Sequence, residues 1–211
     1  MKKRGLLIVV SGFAGSGKGT LMKRLTGDYE NYALSVSMTT REPRPGEVHG
    51  REYFFVSKEE FEQKIRNGGL IEYAVYVENY YGTPRAYVEE QIEAGKDVIL
   101  EIEVQGALKV KERFPDAVLI FVLPPSVEEL YQRLKNRGTE TEDVIRKRMR
   151  RAAEEVSVIE KYDYIMINDE LEESVKRLHG LIESAHNTTG RNEEFIQTIR
   201  DDLEILWKGE N

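Results

Sequence analysis

Residues 6–10, Leu-Leu-Ile-Val-Val, run directly into Ser11-Gly12-Phe13-Ala14-Gly15-Ser16-Gly17-Lys18-Gly19-Thr20, and this stretch decides the fold. An unbroken apolar run is the mark of a strand covered on both faces. Residues 20–25 then follow a helical pattern. A glycine-rich turn between a buried strand and a helix is the setting of a phosphate-binding P-loop. Successive backbone N–H groups wrap a phosphate only where side chains are missing, hence the glycines. The helix N-terminus adds partial positive charge, and Lys18 offers a point charge to outer phosphates. The competing reading is a glycine-rich turn with a stray lysine.

Outward from the loop, residues 34–38, 53–56, 70–77, 98–102, 118–123 and 164–167 read as strands. Ser57 with Glu60 forms a capping box before a helix. Thr83-Pro84 opens another helix, with proline at its first position, and Gly95 closes it. Ser126 with Glu129, and Thr139 with Glu142, cap two more. Residues 39–52 carry Pro43, Pro45, Gly46 and Gly50 and form a loop. Residues 79–83 end in a tight turn. Apolar strands alternating with helices predict an α/β fold with a parallel sheet, flanking helices and the P-loop. The strand-rich segment 34–83 departs from that rhythm and reads as an insertion at one edge of the sheet.

The 211 residues suffice for one sizeable domain or two small ones; 40% are hydrophobic and 33% charged, so a core forms beneath a heavily charged surface. The chain has no cysteine, which excludes disulfides, thiol catalysis and thiolate-held metals, and suits a reducing cytosol. A net charge of −7 speaks against a cationic nucleic-acid binder. No apolar run approaches the roughly 18–20 residues of a membrane span. Residues 1–10 have the outline of a signal peptide, but the apolar stretch is too short for one.

Arg41 and Arg44 flank Pro43 in a stiffened loop, with Tyr53 at the next strand. Guanidinium forks plus phenol hydroxyls suit a phosphate dianion; otherwise the loop is simply basic and solvated. Glu72 stands within an apolar strand and faces either solvent or a purine. Guanine presents an N1–H and an N2 amine side by side, which one carboxylate accepts. Adenine presents an acceptor at N1 and repels it. Hydroxyls of Ser37 and Thr83 suit the guanine O6. Glu101 ends its apolar run as an acid does in a Walker-B strand, next to magnesium or its waters. Residues 133–151 carry eight Lys or Arg, either a solvated helix face or a lid that closes on phosphates. His49, His179 and His186 show no ligand spacing and read as loop or solvated residues.

The P-loop, the SVSMTTREPRPGEVHG segment from Ser35, IEYAVYVENYYGT from Ile71, LEIEVQG from Leu100, LPPSVEELYQRLKNRGTETED from Leu123 and Ile167-Asn168-Asp169 stand in an order that resembles guanylate kinase. The resemblance runs over about residues 4–184. It implies phosphorylation of GMP by ATP with Mg2+, in the cytoplasm, by a monomer or homodimer that binds neither nucleic acid nor membrane. It implies a core (4–33, 84–125 and 156–184), a GMP-binding insertion (34–83) and a lid (126–155). ATP would meet Gly12, Phe13, Ala14, Gly15, Ser16, Gly17, Lys18, Gly19 and Thr20, with Arg133, Arg137 and Asn168. Lys18, Arg137 and Arg148 would act in catalysis. Arg41, Arg44, Tyr53 and Tyr81 would hold the GMP phosphate, and Ser37, Glu72, Thr83 and Glu103 the guanine. Two positions depart from the family pattern. Gly19 stands where the strict P-loop has Ser or Thr, as in nucleoside-monophosphate kinases, which leaves the direct magnesium ligands open. Glu103 is one methylene longer than the usual aspartate. Two other classes compete: a non-catalytic peptide-binding module of the same fold, and a P-loop kinase for another nucleoside monophosphate. The intact loop speaks against the first, Glu72 and the arginine pair against the second.

Residues 185–211 form an extension beyond the resemblance. Phe195, Ile199, Leu203 and Leu206 recur at helical spacing, Ile196 and Trp207 widen the stripe, and Asn192 fits an N-cap. A helix this short needs a surface to bury its stripe: its own core on the simpler reading, a second copy on the other.

Overall fold

The computed structural model describes residues 4–76, 78–136 and 141–209. In chain order the elements are β1 (Leu7–Gly12), α1 (Lys18–Asp28), β2 (Tyr32–Leu34), β3 (Met38–Thr39), β4 (Phe54–Phe55), α2 (Lys58–Arg66), β5 (Leu70–Tyr76), β6 (Asn79–Pro84), α3 (Arg85–Glu93), β7 (Asp97–Glu101), α4 (Val104–Arg113), β8 (Val118–Leu123), α5 (Val127–Asn136), α6 (Glu142–Glu155), β9 (Tyr164–Ile167), α7 (Leu171–His186) and α8 (Glu193–Gly209). Short 3₁₀ segments, Val156–Lys161 and Thr189–Asn192, precede β9 and α8.

Five strands form a sheet in the order β2-β7-β1-β8-β9, and every pairing is parallel. Parallel neighbours require crossovers, so helices cover both faces and the strands are apolar throughout. Alternate residues divide between two cores. Val9, Leu100, Leu119 and Phe121 pack with Val110 and Leu134 on one face. Ile8, Val10, Ile99 and Ile120 pack with Leu25 and Leu178 on the other. A second sheet, β4-β3-β6-β5, is mixed: β3 runs parallel to β4 and antiparallel to β6, and β5 and β6 are antiparallel. It has its own small core of Met38, Phe61 and Leu70, with Phe61 stacked on Tyr80 at 5.0 Å.

Several expectations are corrected. Residues 34–38 are not one strand: Leu34 ends β2 in the first sheet, and Met38 begins β3 in the second. The polar residues between them carry the chain from one sheet to the other. Residues 79–83 are strand rather than turn, because β6 is held between β3 and β5. Pro84 ends that strand and serves as the N-cap of α3, so the helix starts at Arg85, one residue after the expected start. Thr139 lies outside the described residues, and Thr141 is the N-cap of α6. The Ser57–Glu60 capping box is present, and the Ser126 hydroxyl accepts the Glu129 N–H at 3.0 Å.

Two histidines expected in solvent are structural. His179 stacks on Tyr29 at 3.9 Å, with Nδ1 2.7 Å from the Tyr32 hydroxyl. His186 ends α7 with Nε2 2.9 Å from Asp97 Oδ1, and that oxygen also accepts the Leu6 N–H at 2.8 Å. Both side chains are buried. Asp97 thus ties the start of β1 and of β7 to the end of α7. A buried carboxylate with two donors is costly to disturb, because removing it strands both. Asp97→Ala is expected to lower the unfolding free energy by about 3 kcal/mol in urea denaturation. A loss below about 1 kcal/mol would show that the pair does not hold these elements together.

Candidate active site

The loop between β1 and α1 lies at the carboxyl ends of the parallel strands, where α/β sheets place their ligands. Two glycines there are obligatory. A Cβ on Gly12 would lie 2.2 Å from the Val122 carbonyl oxygen, because β1 pairs with β8 to its last residue. Gly17 is the N-cap of α1 at φ 85°, and a Cβ there would stand 2.4 Å from Asn168 Nδ2. Gly15 faces Leu134 of α5. Phe13 is buried edge-on against Phe121 at 5.2 Å, and Ala14 packs against the same core. Ser16 donates its N–H to the Phe13 carbonyl, while its own hydroxyl is buried without a hydrogen-bond partner among the described residues. Gly19 and Thr20 are exposed on the first turn of α1.

Lys18 Nζ curls back onto the loop, donating to the Gly12 carbonyl at 2.5 Å and the Phe13 carbonyl at 3.2 Å. Asn168, just beyond β9, is buried and donates from Nδ2 to the Ser16 carbonyl at 2.8 Å. Arg133 of α5 donates to the Asn168 carbonyl at 2.9 Å and pairs with Glu129 at 2.7 Å. Asn168 and Arg133 therefore brace the loop from behind, through contacts that residue spacing does not reveal. Arg148 is half-buried on α6, and Arg137 lies outside the described residues.

The second sheet collects the predicted anion-binding residues. Arg41 lies over the rings of Tyr53 and Phe55, at 5.5 and 5.7 Å, and Tyr53 meets Tyr81 edge-on at 5.9 Å. Arg44 is exposed in the same loop. Glu47, which sequence reasoning missed, organises this loop. Its two oxygens each lie 2.9 Å from Arg41 Nη2, and Oε2 accepts the Arg44 N–H at 2.8 Å. That backbone donor, with the Arg41 guanidinium, holds the Glu47 carboxyl below the usual range. The available signal was an acid closing an Arg-Glu-Pro-Arg-Pro-Gly turn.

Glu72 is buried in β5, and Oε1 accepts the Thr83 hydroxyl of β6 at 2.8 Å. Burial raises its pKa, against the Thr83 hydrogen bond and the nearby charge of Lys109. Its other oxygen faces α4: a Cβ on Gly106 would lie 3.6 Å from Oε2. Ser37 is half-buried beside β3, its carbonyl accepting the Phe54 N–H. Glu103, the residue before α4, forms an ion pair with Arg151 of α6. That pair spans 48 residues and was invisible in the sequence.

A glycine-rich loop at the carboxyl end of the central parallel strand, with a second sheet that carries Tyr81 beside the Arg41 and Tyr53 loop, is the arrangement of a P-loop phosphotransferase. A family model described as guanylate kinase matches residues 4–185. The chain belongs to the guanylate kinase family. A guanylate kinase of Halalkalibacterium halodurans is 56% identical over 204 residues, which is 97% of this chain and 98% of that one. One from Latilactobacillus sakei is 54% identical over 187 residues, 88% of this chain and 92% of its own length. The crystal structure of guanylate kinase from Anaplasma phagocytophilum matches 90% of each chain, with a TM-score of 0.69 at 37% identity.

Asn168→Ala removes the donor to Ser16 and opens space behind Gly17. It is expected to raise KM for ATP by about tenfold, the scale of one buried hydrogen bond, with KM for GMP nearly unchanged. Equal changes in both would mean that Asn168 does not act through the loop.

Proposed function

We propose that the transfer from ATP to GMP is carried by position and charge, with the P-loop as donor site and the second sheet as acceptor site. The reaction is ATP + GMP giving ADP + GDP. An oxygen of the GMP phosphate attacks the terminal phosphorus of ATP, and the bond to the bridging oxygen of ADP breaks. That nucleophile is already largely deprotonated near neutral pH, so no general base is required. What remains is alignment and neutralisation of phosphoryl oxygens.

In this reading, residues 12–20 wrap the ATP phosphates, and Lys18 leaves the Gly12 and Phe13 carbonyls for the transferred group. Arg133 and Asn168 hold the loop, and Asn168 also borders the adenine side. Arg137 and Arg148 belong to a lid, residues 126–155, that closes over the phosphates and excludes water. The GMP phosphate takes Arg41, Arg44, Tyr53 and Tyr81, sharing Arg41 with Glu47. Guanine takes Ser37, Glu72 and Thr83, with Glu103 at the rim. These residues lie within the proposed insertion, 34–83, and at the start of α4.

The observation that carries the base assignment is Glu72: a buried carboxylate with one oxygen committed to Thr83 and the other beside Gly106 of α4. It matches the paired donors of guanine and opposes the N1 acceptor of adenine. The donor set also fits magnesium. Glu101 ends β7 as an exposed hard-oxygen ligand, paired in register with Val10 just before the loop. Glu101 would hold the ion or its waters, and the bound ion would offset charge on the ATP phosphates. Among the described residues no helix is long and apolar enough to cross a membrane. We place the enzyme in the cytoplasm, where the cysteine-free sequence is at home.

Two substitutions test this division. Lys18→Ala should lower kcat by at least about a hundredfold, the scale of one lost transition-state donor, with Tm unchanged. Near-parental kcat would remove Lys18 from the donor site. Glu72→Gln turns one acceptor into an amine facing guanine, and kcat/KM for GMP should fall by about 2–4 kcal/mol. Burial raises the Glu72 pKa, so its stabilising contribution is full below the ordinary carboxylate range and is lost as pH rises through the folded value. The glutamine does not titrate there. The variant should therefore gain stability relative to the parent between acid and neutral pH, as measured by urea unfolding at several pH values. An unchanged preference for GMP over AMP would take Glu72 out of the base pocket.

A further inference from the structure

The helix α8 does not return to the core. Its root is fastened: Arg191 donates to the Asp116 carbonyl, and Asn192 Nδ2 donates to the His186 and Thr188 carbonyls at 3.0 and 2.8 Å. Asn192 thus anchors the helix backwards through its amide. Beyond the root the apolar stripe faces outward. Phe195, Ile199, Leu203, Leu206 and Trp207 are 56%, 44%, 61%, 67% and 73% exposed. With 3.6 residues per turn, all five fall within about a third of the helix circumference. The simpler sequence expectation, a stripe buried on the chain's own core, is corrected.

We propose that a second copy of this chain covers the stripe, with two α8 helices pairing in parallel about a two-fold axis. Ile196, Ile199, Leu203 and Leu206 are spaced three, four and three residues apart, two heptads of a coiled-coil seam. Such a stripe is self-complementary, which an isologous contact requires. A helix of 17 residues is about 25 Å long. Pairing two of them buries on the order of 1,000 Å², the lower edge of what specific interfaces cover. The dimer is therefore reversible and concentration-dependent.

Charge selects both partner and direction. The helix carries five acids against Arg200 and Lys208, whereas helices that lie on membrane surfaces carry a basic polar face. Arg200 stands on one edge of the stripe and Asp202 on the other. An antiparallel pair brings like charges together near its centre, Arg200 against Arg200 and Asp202 against Asp202. A parallel pair sets opposite edges against each other and places Phe195 of one helix across from Arg200 of the other, where a guanidinium is attracted to the ring.

The test uses the full chain. Sedimentation across a dilution series should show a reversible monomer–dimer equilibrium. Emission of Trp207, the chain's single tryptophan, should shift to the blue as concentration rises. Leu203→Glu and Leu206→Glu replace exposed side chains and leave the folded core intact. Each should weaken dimerisation at least tenfold while helix content and GMP turnover stay at the parental level. The chain has no cysteine, so Ile199→Cys gives one thiol per chain, and oxidation should link the two copies in the parallel register. A chain that stays monomeric, or a dimer that Leu203→Glu leaves intact, would overturn the proposal. So would a monomer that binds anionic phosphatidylglycerol vesicles through the stripe. A stripe-dependent dimer that Ile199→Cys fails to cross-link would overturn the parallel direction.

Discussion

Everything at the nucleotide end of this molecule depends on the close passage of Gly12 beneath the Val122 carbonyl. The pairing of β1 with β8 continues to Gly12 itself, so the loop starts from a backbone position fixed on its β8 side, and Val10 pairs with Glu101 on the β7 side. Any side chain at Gly12 would part the strands. The loop's position is thus set by the hydrophobic sheet beneath it, where Ile8, Val9 and Val10 are wholly buried between two helical layers. Packing energy gathered throughout the core is used at one point, to hold a row of N–H groups at the head of α1, the proposed phosphate site.

The charged groups of the site are neutralised in advance by the protein. Lys18 rests on loop carbonyls, Arg41 on Glu47, Arg151 on Glu103 and Arg133 on Glu129. Each guanidinium or ammonium is already oriented by a carboxylate or carbonyl partner. On the proposed assignment an arriving nucleotide would exchange or share these partners, which limits the ordering of long side chains at the moment of binding. Glu72 is the exception in sign. It is an acid held in an apolar strand by a single hydroxyl, where burial opposes its charge.

Local chemistry was legible in the sequence, and long-range chemistry was not. The strand–loop–helix at residues 7–28, the capping box at Ser57 and Glu60, and the cluster of Arg41, Tyr53 and Tyr81 all rest on neighbours or on recognisable patterns. The break at residues 35–37 was hidden because apolar residues on both sides continue one strand pattern across two sheets. The tie between Asp97 and His186 joins residues 89 apart, and neither spacing nor composition announces it. The same holds for Arg151 with Glu103, and for Asn168 behind the loop. For residues 191–208 the amphipathic period was plain, but periodicity says which face is apolar and not what lies opposite it.

The brace of Asn168 on Ser16 joins residues 152 positions apart. A chain emerging from the ribosome delivers the loop early and its brace 152 residues later, after the residues of β9. Until then Gly17 has no amide behind it, and the chain lacks the last strand of its sheet. The bracing of the loop is therefore a late property of the growing polypeptide. The motif that is made first is among the last to be braced.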